Sequence, residues 1–166
     1  MCEFSPNDKR SLLYRGTRDD FGGKAFHSKC DGKSNTLTIL KAKQSKFIFG
    51  GFTAVNWESS NNLKYKSDTN AFIFSLTNKD NKPVKMKIDP YMHHRAIFCD
   101  SKFGPTFDGG YDLCVANNAN TTMDSCSNLG FSYIHPEYEY KTNEARAFLA
   151  GSCQFQLDEI EVYQKE

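Results

Sequence analysis

The sequence predicts a mainly β fold, a two-sheet antiparallel β-sandwich with a few short helices. Short segments in which apolar and polar side chains alternate recur along the chain, which is the two-residue period of a strand. Clusters of Gly, Pro and Asn separate these segments, as turns between strands do. Phe and Tyr number 14 and 8 of 166 residues, and both favour pleated, half-buried surfaces. Many short strands with little helix are typical of a sandwich.

The first predicted element is a short helix. Asp19 and Asp20 stand where acids cap a helix and complement its dipole. Apolar side chains then recur on one helical face through residues 21–30, and Asp31-Gly32 ends the pattern. Glycines in the first turn lower the helix propensity, so this helix must depend on tertiary packing.

Strands are predicted where the period changes to two. Residues 36–42 and 46–55 form a hairpin, and Gly50-Gly51 inside its second strand indicates a bulge or a close approach of another backbone. Further strands are predicted at 70–76, 84–88, 96–99, 113–116 and 131–134. The polar segments 57–69 and 117–128 are predicted to be loops, and residues 144–148 are predicted to form one helical turn.

The C-terminal strand changes the parity of its apolar side chains. Phe155 and Leu157 occupy odd positions, whereas Ile160 and Val162 occupy even ones. A regular strand points alternate side chains to opposite faces, so it cannot bury both sets on one side. Either both faces of the strand are covered, or an extra residue near Asp158 forms a β-bulge.

Composition excludes several classes of function. Lys plus Arg number 21 and Asp plus Glu 20, a formal net charge of +1, which argues against a nucleic-acid footprint and against a polybasic membrane anchor. No apolar run approaches the roughly 20 residues of a membrane span, and the start lacks the regions of a signal peptide. We therefore expect a cytoplasmic protein without direct membrane insertion. Its single domain is predicted at 12–166, after an N-terminal leader at 1–11.

The six cysteines are predicted to be free thiols, because they lie far apart and none has CxxC spacing. Cys114 and Cys153 fall within apolar alternations and are predicted to be small core residues. Cys2 and Cys126 lie in polar surroundings, so we expect them to be exposed and assign them as candidate redox residues. A redox role needs a neighbour that stabilises the thiolate, and the sequence alone shows none.

The histidines do not predict a metal or cofactor site. His93 and His94 are adjacent, point in opposite directions in an extended chain, and have no acids at ligand spacing. His27 and Cys30 are three residues apart on the predicted helix, which would bring them together as a nucleophile pair. Cys30 belongs to the apolar face of that helix, however, so a core role is favoured.

Acids are the candidate partner-binding residues, namely Asp108, Asp112, Asp158, Glu159 and Glu161. Asp108 and Asp112 flank a glycine-rich segment without phosphate-loop spacing, so they are predicted to line an exposed loop. Glu159 and Glu161 share one face of the C-terminal strand, and they are also weak candidates for an acid/base pair. Acids on a terminal strand often only prevent edge pairing, and this structural role is favoured, with partner contact as the residual role.

Eight segments occur in the order found in a TLDc domain: LLYRG (12–16), FHSKCDG (26–32), TLTI (36–39), IFGGFT (48–53), AFIFSL (71–76), FDGGYD (107–112), FLAG (148–151) and DEIEVY (158–163). From residue 12 to residue 163 the chain thus resembles the TLDc domain of the oxidation-resistance proteins and of nuclear receptor coactivator 7. Two features depart from the family. Asp20 stands where a glycine or another small residue is expected, and the glycine-rich turn before Asp112 is shorter than in the oxidation-resistance proteins.

This resemblance implies a two-sheet sandwich, protection against oxidative stress, and binding to cytosolic subunits of the vacuolar-type proton-pumping ATPase (V-ATPase). It implies no cofactor and no firmly established catalytic residue, although Glu159 or Glu161 matches an acid viewed as a possible active-site residue. We therefore expect a non-enzymatic interaction module, peripheral to organelle membranes through its protein partner. The alternative is a thiol- or acid-dependent enzyme that consumes peroxide.

Overall fold

The structure, a computed structural model, describes residues 9–59, 61–62, 64–108 and 110–165. Within them the chain forms twelve β-strands, three α-helices and one 3-10 helix. The strands are β1 (Arg10–Arg15), β2 (Thr36–Ala42), β3 (Ile48–Thr53), β4 (Lys64–Lys66), β5 (Phe72–Ser75), β6 (Val84–Lys87), β7 (Ile97–Cys99), β8 (Thr106–Phe107), β9 (Leu113–Cys114), β10 (Ser125–Cys126), β11 (Gln154–Phe155) and β12 (Leu157–Lys165). The helices are α1 (Gly16–Asp19), α2 (Gly23–Cys30) and α3 (Asn143–Phe148), and the 3-10 helix spans His93–Arg95.

The strands form two antiparallel sheets of six strands each, which confirms the predicted two-sheet sandwich. The first sheet has the order β1-β12-β2-β3-β5-β6 and the second β11-β10-β9-β8-β7-β4. The C-terminal strand β12 therefore lies between β1 and β2, and ties both ends of the described chain into one sheet. Strand β1 begins at Arg10, inside the segment predicted to be a leader.

The hydrophobic core lies between the sheets. Phe49 and Ile73 of the first sheet and Phe107 and Phe155 of the second are fully buried in one cluster. The rings of Phe49 and Phe155 meet edge to face, with 5.6 Å between their centroids. Each such side chain stabilises the fold by about 1.5–3 kcal/mol through its burial. A smaller cluster around Phe72 covers the outer face of the first sheet, so β5 is buried on both faces.

Two polar segments contain more structure than the sequence predicts. The segment 57–69 holds β4 and begins with the buried Trp57, whose indole N–H donates to Thr36 Oγ1 at 2.9 Å. The segment 117–128 holds β10. Both strands are very short and their pairing partners lie elsewhere in the chain, so neither shows a local alternation of apolar side chains. The predicted strand at 131–134 instead makes one isolated bridge.

The helix predicted over residues 21–30 corresponds to α2, which begins at Gly23, and the short helix α1 before it was not predicted. Asp20 separates the two helices with a φ of 88°. The two predicted capping acids therefore belong to α1 and the turn after it, while Asn117 Oδ1 accepts from the Gly23 N–H at 3.0 Å. The expected capping role of Asp19 and Asp20 at α2 is wrong, because the backbone reverses between them and that helix. No described helix is long and apolar enough to cross a bilayer.

Gly50 and Gly51 allow a close approach on both faces of the first sheet. The pairing of β2 with β3 is continuous there, so the predicted alternative of a bulge does not apply. A Cβ on Gly51 would lie 2.5 Å from the Phe107 ring of the second sheet, and a Cβ on Gly50 would collide with the Thr38 carbonyl. Gly51 thus sets the local spacing between the sheets, while Gly50 allows the close approach of β2 within its own sheet.

The parity break in the C-terminal strand is a β-bulge, which is one of the two predicted alternatives. Leu157 pairs with Ala42 and Glu159 with Lys41, which leaves Asp158 as the extra residue. Before the bulge the chain leaves the second sheet, since β11 belongs there and β12 to the first. After the bulge Ile160 faces the core, as Leu157 does before it. One added residue therefore keeps both apolar sets buried.

Candidate functional site

A polar surface surrounds the bulge, where β12 meets β1, α1 and the β2–β3 turn. We call it the kink surface, and it consists of Arg15, Thr17, Lys46, Asp158, Glu159 and Glu161. The structure thus brings together the three acids that the sequence singles out on the C-terminal strand. It adds two basic residues and a threonine from distant parts of the chain.

Asp158 projects from the bulge and forms an exposed ion pair. Its Oδ2 lies 2.6 Å from Nζ of Lys46, which belongs to the β2–β3 turn. The hydrogen bond from Lys46 lowers the pKa of Asp158 below its ordinary value. Both side chains remain accessible, so this pair contributes about 0–1 kcal/mol to stability and is open to a partner.

Glu159 joins β12 to the start of α1. Its carboxylate accepts from the backbone N–H of Thr17 at 3.0 Å and from the Thr17 hydroxyl at 2.5 Å. The first N–H groups of a helix have no partner within the helix, so an acid supplied by another element satisfies one of them. Glu159 thereby caps the N-terminus of α1, a role that an N-cap side chain usually has.

Glu161 joins β12 to β1. Its Oε1 accepts from Arg15 Nε at 2.9 Å and lies 2.7 Å from the terminal nitrogen of the same guanidinium. Its Oε2 accepts from the Tyr163 hydroxyl at 2.9 Å. Glu159 is therefore held by α1 and Glu161 by β1, both of which lie next to β12. This geometry supports the structural role over an acid/base pair.

Asp108 and Asp112 are fully buried, so the expectation that they line an exposed loop is wrong. Asp112 accepts from the backbone N–H groups of Gly130, Phe131 and Ser132, at 2.6–3.0 Å, and so fixes the chain after β10. Asp108 Oδ1 lies 3.1 Å from Arg95 Nε, as an ion pair without hydrogen-bond alignment. Carboxylates enter a protein interior only with such partners.

Compared with known protein families, the chain matches the TLDc domain over residues 2–166. The chain belongs to the TLDc family. Comparison with curated protein sequences gave no significant match. In this TLDc domain the three acids of the kink surface fall within the last of the segments that carry the resemblance, DEIEVY.

The TLDc chain also holds a pair of thiols that the sequence does not bring together. Cys114 of β9 and Cys126 of β10 are directly opposite each other across an antiparallel pair. Cys114 is buried, as predicted, whereas Cys126 is half-buried rather than exposed. The hydrogen bond from the Cys114 thiol lowers the pKa of Cys126, and the same contact, together with burial, raises the pKa of Cys114. Cys126 is therefore the more readily ionised thiol of the two.

The other cysteines are placed differently. Cys153 was predicted to be a core residue but is half-buried, and its thiol donates to the Ser127 carbonyl at 3.4 Å. Burial raises the pKa of Cys30 to about 12, with Asp31 adding to the rise, so it is a poor nucleophile. Cys2, the second predicted redox residue, lies outside the described residues.

The histidines occupy separate sites. His27 Nδ1 lies 2.6 Å from Asp31 Oδ1 and its Nε2 lies 3.0 Å from the Asp100 carbonyl, so both ring nitrogens are engaged away from Cys30. His93 contacts the Ser67 hydroxyl at 2.7 Å. Among residues 9–59, 61–62, 64–108 and 110–165, no three His, Cys, Asp or Glu side chains are grouped so as to hold a metal ion.

Proposed function

We propose that this TLDc protein is a non-enzymatic interaction module that contributes to protection against oxidative stress by binding and regulating the V-ATPase. The observation that carries the proposal is the family match over residues 2–166, since TLDc is a family linked to oxidation resistance. We place the protein in the cytoplasm, at organelle surfaces through this partner.

The kink surface is our proposed contact. It is polar, it presents both charge signs, and it is built on paired strands rather than on a free loop. A rigid surface loses little conformational entropy on binding. Asp158 is the acid best placed to reach a partner, because its carboxylate is engaged by the exposed Lys46 rather than by a neighbouring structural element. Glu159 ties α1 to β12 and Glu161 ties β1 to β12, so these two acids would shape the surface.

Affinity capture from cytosolic extract tests the partner. With the purified protein as bait, we expect V-ATPase subunits to be enriched over an unrelated β-sandwich. Reversing the charge with Asp158→Lys should abolish the enrichment, because it replaces the accessible acid of the kink surface with a second basic group beside Lys46. The control Glu139→Lys makes the same change at an exposed acid of another loop and should bind normally.

The outcomes separate the partner from the surface. Absence of V-ATPase subunits with the unmodified bait would contradict the partner. Capture that survives Asp158→Lys would keep the partner and place the contact elsewhere on the domain.

A turnover assay distinguishes this module from the peroxide-consuming alternative. We expect the purified protein, supplied with excess hydrogen peroxide and a thiol reductant, to show no multiple turnover above a control protein. Turnover that persists when every cysteine is replaced by serine but is lost in Glu159→Gln, with unchanged thermal stability, would instead establish an acid-dependent enzyme.

A further inference from the structure

Cys114 and Cys126 have the backbone geometry of a disulfide. Directly opposed residues in an antiparallel pair have Cα atoms about 4.5–5.5 Å apart, and this lies within the span of about 4.4–6.8 Å that disulfides bridge. Their side chains leave the sheet on the same side, because directly opposed residues of an antiparallel pair share a face. The two strands that carry the cysteines, β9 and β10, each contain only two residues. Few backbone hydrogen bonds therefore oppose a small movement of one strand relative to the other.

The pair lies on the outer face of the second sheet. Thr106, Cys114, Cys126 and Gln154 form one row across β8, β9, β10 and β11. The neighbouring side chains of these strands, such as Leu113, point into the core. Gln154 is exposed at one end of the row, whereas Cys114 is covered. A small oxidant therefore reaches Cys126 first, and Cys114 lies next to Cys126 on the neighbouring strand.

We propose that Cys114 and Cys126 form a reversible intramolecular disulfide when the protein meets a hydroperoxide. This goes beyond the proposed interaction function and does not rest on it. It is a stoichiometric modification of the chain, so it requires no turnover.

The chemistry takes place in two steps. The Cys126 thiolate attacks the terminal oxygen of the hydroperoxide, the O–O bond breaks, and the protonated leaving group departs as an alcohol, or as water from hydrogen peroxide. Cys126 is then a sulfenic acid. The Cys114 sulfur, on losing its proton, attacks the Cys126 sulfur, and the hydroxyl leaves with a proton as water. Two thiols are thus oxidised and one peroxide is reduced, and a dithiol reductant reverses the change by thiol–disulfide exchange.

The roles of the two thiols follow from their surroundings. Cys126 is half-buried and accepts the hydrogen bond, which makes it the attacking thiolate. Cys114 also accepts a weak hydrogen bond from the Thr106 hydroxyl, with 3.7 Å between oxygen and sulfur. Thr106 thereby holds the resolving sulfur in place. The sequence separation hides this arrangement, because nine polar or small residues, Val115 and Met123 lie between the two cysteines.

Peptide mapping of the oxidised wild-type protein tests the proposal. The protein is treated with an equimolar amount of hydrogen peroxide and its remaining thiols are blocked. It is then cut before aspartate and after lysine and arginine. These cuts place Cys114 in peptide 112–123, Cys126 in peptide 124–141 and Cys153 in peptide 147–157. We expect peptides 112–123 and 124–141 to be joined without reducing agent and to separate with dithiothreitol.

Three variants assign the roles. Cys126→Ser should leave the Cys114 thiol unreacted over the same time, and Cys114→Ser should leave a sulfenic acid on Cys126 that a dimedone probe traps. Cys153→Ser is the matched control, because this half-buried thiol precedes β11 but contacts Ser127 and Asn128 rather than Cys126, and its disulfide should form as in the wild type.

Two results would overturn the proposal. One is a wild-type map in which peptide 147–157 is joined instead, and the other is Cys126 oxidised without any link to Cys114. The map needs no variant, so it decides the question even if Cys114→Ser, which changes a buried residue, fails to fold.

Discussion

At the scale of a single residue, Asp20 sets the turn between α1 and α2. Its backbone has a φ of 88° and a ψ of 149°, a region in which residues with a Cβ are strained and glycine is not. The Tyr14 hydroxyl donates to the Asp20 carbonyl at 2.7 Å and helps to hold this conformation. The departure from the family at this position therefore has a physical cost in the turn.

Replacing Asp20 with glycine should stabilise the protein. Relief of the backbone strain outweighs the added freedom of the unfolded chain, and we expect Asp20→Gly to raise the free energy of unfolding by about 1 kcal/mol. Urea denaturation of both proteins measures the change. The adjacent variant Asp19→Gly is the control, because Asp19 lies within α1 and accepts from the Arg15 N–H, so its loss should destabilise. Equal destabilisation by both variants would contradict the strain argument.

At the scale of the element, the bulge in β12 is a correction of register. Leu157 pairs with Ala42 of β2, the pairing is regular from Glu159 to Gln164, and Asp158 between them has no partner in β2. The side chains of Leu157 and Ile160 both face the core because the bulge separates them by one residue more than alternation allows. The bulge also leaves the Asp158 carboxylate directed to Lys46.

Deleting Asp158 should therefore be tolerated. The shortened strand would have a regular ladder with Leu157 and Ile160 still facing the core, and the lost ion pair costs about 1 kcal/mol or less. Deleting Glu161 from the same strand should be far more damaging, because Val162 would then face solvent at a cost of about 1.5–3 kcal/mol for that side chain alone. Thermal denaturation of the two deletions compares them. A larger loss for the Asp158 deletion would show that the bulge has a role beyond register.

At the scale of the whole molecule, the titration of one buried acid makes the free energy of unfolding depend on pH. Two buried acids, Asp108 and Asp112, lie between β8 and β9, and Asp112 is the one that titrates. Burial raises the pKa of Asp112 from 3.8 to about 7, with Asp108 adding to the rise while hydrogen bonds from the backbone, Ser132 first, oppose it. The folded protein thus keeps a proton that the unfolded chain releases. The stabilising contribution is complete below pH 3.8 and is lost as the pH rises through about 7.

The variant Asp112→Asn removes this titration. We expect the free energy of unfolding of the wild type, relative to Asp112→Asn, to be larger at pH 5 than at pH 8, as measured by urea denaturation at both values. The other acids are common to both proteins, so the comparison isolates this site. If the difference is instead larger at pH 8, the three N–H groups that bind Asp112 dominate over its burial.

Local sequence patterns predicted the strands in which apolar and polar side chains alternate. Residues 36–42 coincide with β2, and 144–148 falls within α3, because the period of the side chains reports which face is buried. They did not predict β4 or β10, whose few residues are held by pairing with distant strands. The position of the bulge at Asp158 was predictable, because the apolar side chains change from odd to even positions there.

The sequence by itself determined the fold class, the family and the register of the C-terminal strand, since these follow from periodicity and from the order of short segments. Only the tertiary structure decided which side chains meet. It placed Thr17 against Glu159, 142 residues away, and Cys114 opposite Cys126. It also buried Asp108 and Asp112. These contacts depend on how separate strands are brought together in two sheets, and a linear pattern carries no record of that pairing.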